Sequence, residues 1–212
     1  MEDALRQLPG GANVSWHPFQ LNPDMAREGM NRKVYRSNKF GSWERSLAMD
    51  AQVTDVGKSV GIGFRYDLQS NTPNTFDSHR LVWFAGVHGV QDSVVEALFR
   101  GYFCEGVNFS ERKNLLSVAT SAGLNAAKAE VFLESDEGVA EVRFEEQCAR
   151  KLGISGVPFY VINKSIAFSG AQPPEMFIEA FCRAKELPRE ASQIGINEET
   201  DGCGPDGCKV PQ

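Results

Sequence analysis

No Cys-x-x-Cys occurs anywhere in this 212-residue sequence, so the usual dithiol arrangement of a redox site is missing from it. No apolar run approaches the ~20 residues that cross a bilayer as a helix. The first residues, Met1-Glu2-Asp3-Ala4-Leu5-Arg6, are acidic at once and lack the apolar core of a signal peptide. As written, the chain is expected to stay in the cytoplasm, with no membrane partner. Basic residues are outnumbered, 22 Lys and Arg against 28 Asp and Glu, which argues against a nucleic-acid surface. Histidine is scarce, with three in all, and they suggest no catalytic array. A Cys–His hydrolase would need a spatial proximity that spacing cannot supply.

What is present is ordinary for a globular protein. Hydrophobic residues make up 42% and charged residues 24%, and the length allows one sizeable core, or one core with a satellite. Residues 2–8 read as the end of a helix closed by Pro9-Gly10-Gly11. Residues 12–21, with Val14 and Trp16, read as a strand, broken at Asn22-Pro23-Asp24 because proline lacks an amide donor. From 31 to 152 nearly everything has helical period. Met49, Val53, Val56 and Val60 form one stripe, Leu81, Phe84 and Val87 or His88 another, and Val94, Leu98 and Tyr102 a third; the stripes predict a helical core. Glu146 and Arg150 are spaced for an i,i+4 pair. Cys104, Cys148 and Cys182 lie in these helical patterns and read as small core residues. His79 reads as a capping or solvent-bonded side chain beside Asp77 and Arg80.

The period changes at Gly153. Phe159-Tyr160-Val161-Ile162 predicts a strand, Asn163-Lys164 a tight turn, and Ser165 to Phe168 the antiparallel partner. Pro173-Pro174-Glu175 opens a last helix, after which the chain turns polar and Gly-rich. The expected architecture is α/β: residues 1–30 and 153–186 form one portion, 31–152 an inserted helical subdomain, and 187–212 a flexible tail.

Four ordered strings then stand out. They are Trp16-His17-Pro18-Phe19-Gln20-Leu21-Asn22-Pro23, Asn74-Thr75-Phe76-Asp77-Ser78-His79-Arg80-Leu81, Gly156-Val157-Pro158-Phe159-Tyr160-Val161-Ile162 and Ser169-Gly170-Ala171-Gln172-Pro173-Pro174-Glu175. Together they resemble the FrnE-type branch of the DsbA-like oxidoreductases. The resemblance implies a thioredoxin-like fold with an inserted helical subdomain. It also implies thiol–disulfide exchange on protein or small disulfide substrates, glutathione among them, without a cofactor. It makes Val157-Pro158 the cis-proline segment that holds the extended backbone of a substrate. It places the family's first strand and Cys-x-x-Cys upstream of Met1, so the N-terminal βα portion is expected to be incomplete and exchange impaired.

The tail carries a second candidate chemistry, Cys203-Gly204-Pro205-Asp206-Gly207-Cys208. Gly-Pro-Asp-Gly suits a type I turn, which can bring two cysteines within disulfide reach. So short a loop adds little stability, which makes a redox role for Cys203 and Cys208 more natural than a structural one. Some FrnE-type proteins are similar here too, with a C-terminal Cys-x4-Cys. An inert tail with two exposed thiols is the plain alternative. One pair falls short of the four ligands of a zinc site, so no metal is expected. Two rival functions share the architecture: a glutathione-dependent isomerase or kappa-class glutathione transferase, and a peptide-binding thioredoxin-like module without catalysis.

Overall fold

A computed structural model describes residues 1–187 and the backbone of 203–204 and 207–208. Backbone contacts divide it into two units, Met1–Leu21 with Val139–Gln212, and Asn22–Gly138. The boundaries read from the sequence lie at 30/31 and 152/153. The two divisions differ over residues 22–30 and over helix Val139–Lys151 (α8), whose Glu146 carboxylate accepts from the amide of Gln20 at 2.7 Å and so sits with the terminal segment. The expected tail, 187–212, lies almost wholly outside the described residues.

The inserted unit is helical. It contains α2 (Arg32–Phe40), α3 (Trp43–Ser59), α4 (Phe76–Val87), α5 (Gln91–Glu105), α6 (Arg112–Ser121) and α7 (Ala126–Glu134). Caps set the starts of three of these. Asn31, Ser42 and Asn125 accept from the backbone amides of Val34, Arg45 and Lys128, each satisfying a donor the helix cannot. Two short strands that the helical reading did not foresee, β1 (Met30–Asn31) and β2 (Asn71–Thr72), pair antiparallel. The core gathers Leu81, Phe84, Val94, Leu115 and Phe132, with the rings of Phe84 and Phe132 stacked at 4.2 Å. Arg80 is buried beside them. It pairs with Asp77 and donates to the carbonyls of Phe132, Ser135 and Glu137, which stops the α7–α8 connection from leaving orphaned acceptors.

The α3 stripe does not enter the core. Met49, Val53, Val56 and Val60 are all exposed, Val56 by 67%. The inward side of α3 is instead Ser46, Asp50 and Gly57. Asp50 accepts from Arg32 and Arg36 at 2.7 Å each, Ser46 accepts from Arg36 at 2.5 Å, and a Cβ on Gly57 would stand 2.5 Å from the Phe64 ring. A polar network and a ring packed on bare backbone turn the helix, so the apolar period points to solvent. Val87, expected on the α4 core stripe, is likewise exposed.

The terminal unit holds α1 (Glu2–Gln7), α8, strands β3 (Phe159–Ile162) and β4 (Ile166–Ser169), α9 (Pro174–Glu186), and strands β5 (Cys203–Gly204) and β6 (Gly207–Cys208). Residues 12–20 are not a strand. The three ladders among the described residues are β1–β2, β3–β4 and β5–β6, so no strand lies alongside this segment, and Gln20 turns its amide to a side chain instead. The β3–β4 hairpin is antiparallel with Phe159 opposite Ser169 and Ile162 opposite Ile166. Asn163 and Lys164 close it at positive φ, 47° and 57°, a conformation asparagine tolerates better than most residues. Tyr160 and Phe168 face each other across the hairpin at 5.3 Å, and both rings meet Phe177 of α9. Pro174 takes the first turn of α9, where a missing amide does least harm, and α1 packs against that helix.

Candidate functional site

The loop between α8 and β3 is built from backbone specials. Gly153, at φ +77°, ends α8 with its amide on the carbonyl of Arg150. The Val157–Pro158 peptide is cis, and Val157 is 49% exposed. Because proline has no amide, Pro158 can only accept. It does so from the amide of Gly170 at 2.8 Å, where Gly170 stands just beyond β4 at φ +81°. Two of the four motif strings thus meet by one backbone hydrogen bond, which holds the Val157-Pro158 turn at the mouth of the hairpin.

A third string lies in the same unit. The imidazole Nδ1 of His17 donates to Glu145 at 3.0 Å, and Gln20 donates its amide to Glu146. Glu146 is buried. Its burial pushes the carboxyl above the ordinary carboxylate range, offset only in part by the Gln20 amide and by Arg150 and Arg143. The expected Glu146–Arg150 pair is present, though long at 3.9 Å. The sequence pairing anticipates the salt bridge but not the burial, since a charged residue at helical spacing reads as solvent-facing.

The remaining string opens α4. Asn74 accepts from the amide of Phe76 at 2.8 Å and donates to the carbonyl of Met25 at 2.6 Å. His79, expected to cap or meet solvent, makes no cap of α4, and burial depresses its imidazole to a pKa of about 4. It is therefore neutral at physiological pH.

The cysteines divide into three situations. Cys104 is half-buried and Cys182 exposed, both free. Cys182 is therefore not a core residue. The inward face of α9 is Phe177, Ala180 and Ala184, and residue 182 falls on the far side of that helix. Cys148 is buried, at 5% exposure, and disulfide-bonded, so it is more than the small packing residue its helical position suggests. In the tail, β5 and β6 pair with Cys203 opposite Cys208, and β6 lies against α8. The side chains of Cys203 and Cys208 lie outside the described residues. No group of His, Cys, Asp and Glu able to hold a metal ion occurs among the described residues, and no helix there is long and apolar enough to cross a membrane.

A family model for the DsbA-like thioredoxin domain matches residues 1–181. The chain belongs to that family. A crystal structure of a probable DsbA oxidoreductase from Streptomyces coelicolor is similar over 100% of this chain and 91% of its own, with 30% identity and a TM-score of 0.80. No curated protein matches. The DsbA-like assignment makes the fold thioredoxin-like with a helical insertion.

Proposed function

We propose that this chain is a thiol–disulfide oxidoreductase of the FrnE-type branch, working in the cytoplasm on protein or small disulfides, glutathione disulfide included. The observation that carries the reading is the β5–β6 register, which sets Cys203 opposite Cys208 within a DsbA-like chain. One cysteine of the pair, as thiolate, attacks a substrate sulfur. The substrate S–S bond breaks and a mixed disulfide forms. The second cysteine then resolves it, so the substrate leaves as a dithiol and the pair is left oxidised. The exposed Val157-Pro158 turn is the substrate clamp in this scheme, offering the Val157 side chain and a backbone free of a competing amide.

The first exchange by these 212 residues is slow. A nucleophilic cysteine of this family gains its thiolate at a helix N-terminus, and the sequence has no Cys-x-x-Cys to place there. The test is turnover of a model disulfide under one reductant, comparing the chain with Cys203→Ser, Cys208→Ser and a version carrying a Cys-x-x-Cys ahead of Met1. Either serine variant should lose most of the low activity, and the extended version should gain more than tenfold. Serine variants as active as the parent would remove Cys203 and Cys208 from the reaction.

A further inference from the structure

We propose that the exposed stripe of α3 is a docking face for an amphipathic helix of a partner protein, apolar on one side and acidic along its flank. The face lies wholly within the inserted unit and is independent of the exchange chemistry. Met49, Val53, Val56 and Val60 are all exposed, the last two by 67 and 68%. Their spacing alternates four and three residues, the seam that one helix offers to another. At about 1.5 Å per residue the row runs for about 16 Å, three turns of a partner helix. Folding makes no use of it. The helix is fixed to its own unit by another side, where Asp50 pairs with Arg32 and Arg36 and Gly57 lies against the Phe64 ring. Apolar side chains left together in water in this way mark a contact surface more often than isolated ones do.

Charge selects the occupant. Helices α2 and α3 carry six basic residues and three acidic ones, in a chain whose net charge is −6. Two of those acids are already matched, Asp50 with Arg32 and Arg36, and Asp55 with Lys58. Lys33, Lys39 and Arg45 are exposed and form no ion pair among the described residues; they outnumber the one remaining carboxylate, Glu44. Arg45 stands one turn before Met49, in line with the stripe. A symmetric pairing of two copies would set this basic surface against itself. Four apolar side chains also fall well short of the roughly 20–30 residues a side of a stable interface. A bilayer of anionic lipid would attract the three free cations but repel a chain of this net charge. An acidic helix satisfies the stripe and its flank together, and so short a contact suits a transient partner.

Two labelled synthetic helices test this on the full chain by fluorescence anisotropy. Both carry leucine at alternating three- and four-residue spacing; one has glutamate along the flanks and the other lysine. The glutamate peptide should bind, and the lysine peptide should bind at least about tenfold more weakly. Val56→Asp should weaken the glutamate peptide by about tenfold or more, and Arg45→Glu should narrow the gap between the two peptides. Val131→Asp, at a valine of α7 as exposed as Val56, should leave binding unchanged. The comparison of the two peptides is read on the unmodified chain, so a variant that fails to fold leaves the test intact. Equal binding of both peptides, binding of neither, or a folded Val56→Asp chain that binds like the parent overturns the proposal. Sedimentation and vesicle flotation complete the test. A dimer of the parent that Val56→Asp dissolves would give the face to a second copy, and retention on phosphatidylserine vesicles that Val56→Asp abolishes would give it to a membrane; either result overturns the acidic helix as its occupant.

Discussion

The amide of Gly170 donates to the carbonyl of Pro158 at 2.8 Å, tying the residue after β4 to the turn before β3. Gly170 holds φ +81°, and a Cβ there would meet nothing closer than the Gln172 amide at 3.8 Å. The cost of Gly170→Ala is then almost wholly conformational, about 1–2 kcal/mol. Gly156→Ala, on the same loop with open space and no positive φ, should be close to neutral. Urea unfolding of both variants checks this: equal midpoints would show that the Gly170 conformation carries no cost.

Asp50 bridges two arginines, one of them 3% and the other 20% exposed at the side chain. Asp50→Asn leaves buried positive charge without its counter-ion and should cost about 3–5 kcal/mol. The exposed Arg65–Asp67 pair makes the contrast, since both its side chains are more than half in solvent. Asp67→Asn should leave the unfolding midpoint almost unchanged. Chemical denaturation at low and high salt measures both, and only the second loss should fade with salt.

Glu146 titrates in a direction opposite to most carboxylates. Its pKa is raised in the folded chain by burial, so the native state holds this proton more tightly than the unfolded one. The stability it contributes is full below the ordinary carboxylate range and is lost as pH rises through the raised value. Glu146→Gln keeps an acceptor for the Gln20 amide and removes the charge. The variant should gain on the parent as pH rises from 4 to 8, read as the difference between their melting temperatures. Glu146→Ala, which leaves that amide unpaired, should cost about 1–3 kcal/mol at every pH.

His79 works the other way. Burial lowers its pKa from 6.5 to about 4, so the native state binds this proton less readily than the unfolded chain. Its contribution is full above about 6.5 and is lost as pH falls towards 4. At roughly 1.4 kcal/mol per pH unit, the loss amounts to about 3 kcal/mol. Thermal melts of the parent and His79→Gln between pH 7 and 4 should converge as the parent weakens. Parallel curves would mean that His79 protonates freely in the folded state.

Much of the fold is legible because local chemistry and final structure agree. Ser42 before α3, Asn74-Thr75 before α4, Pro174 at the start of α9 and Asn163-Lys164 between β3 and β4 all punctuate the chain where backbone donors and positive φ demand them. The failures have a common origin in partners distant along the sequence. Residues 12–21 have strand composition, but a strand exists only with a neighbour to share its ladder. The α3 stripe has helical period, but Arg32 and Arg36 pull the polar side inward. For the candidate site, Val157-Pro158 is visible as a motif and Cys203–Cys208 as a spacing. The bond at Cys148 is invisible, because nothing local distinguishes an oxidised helical cysteine from a packed one.

The division of the chain at residues 22 and 138 bears on the order in which it is made. The inserted unit is one continuous stretch, Asn22–Gly138, so all its core residues have left the ribosome before the first of α8 emerges. Met1–Leu21, by contrast, belongs with residues from Val139 onward. At about 5–20 residues per second, the Met1–Leu21 segment spends several seconds or more without the helix and hairpin it will join. Vectorial synthesis therefore favours a folded insertion first, with the two segments of the other unit joining after it.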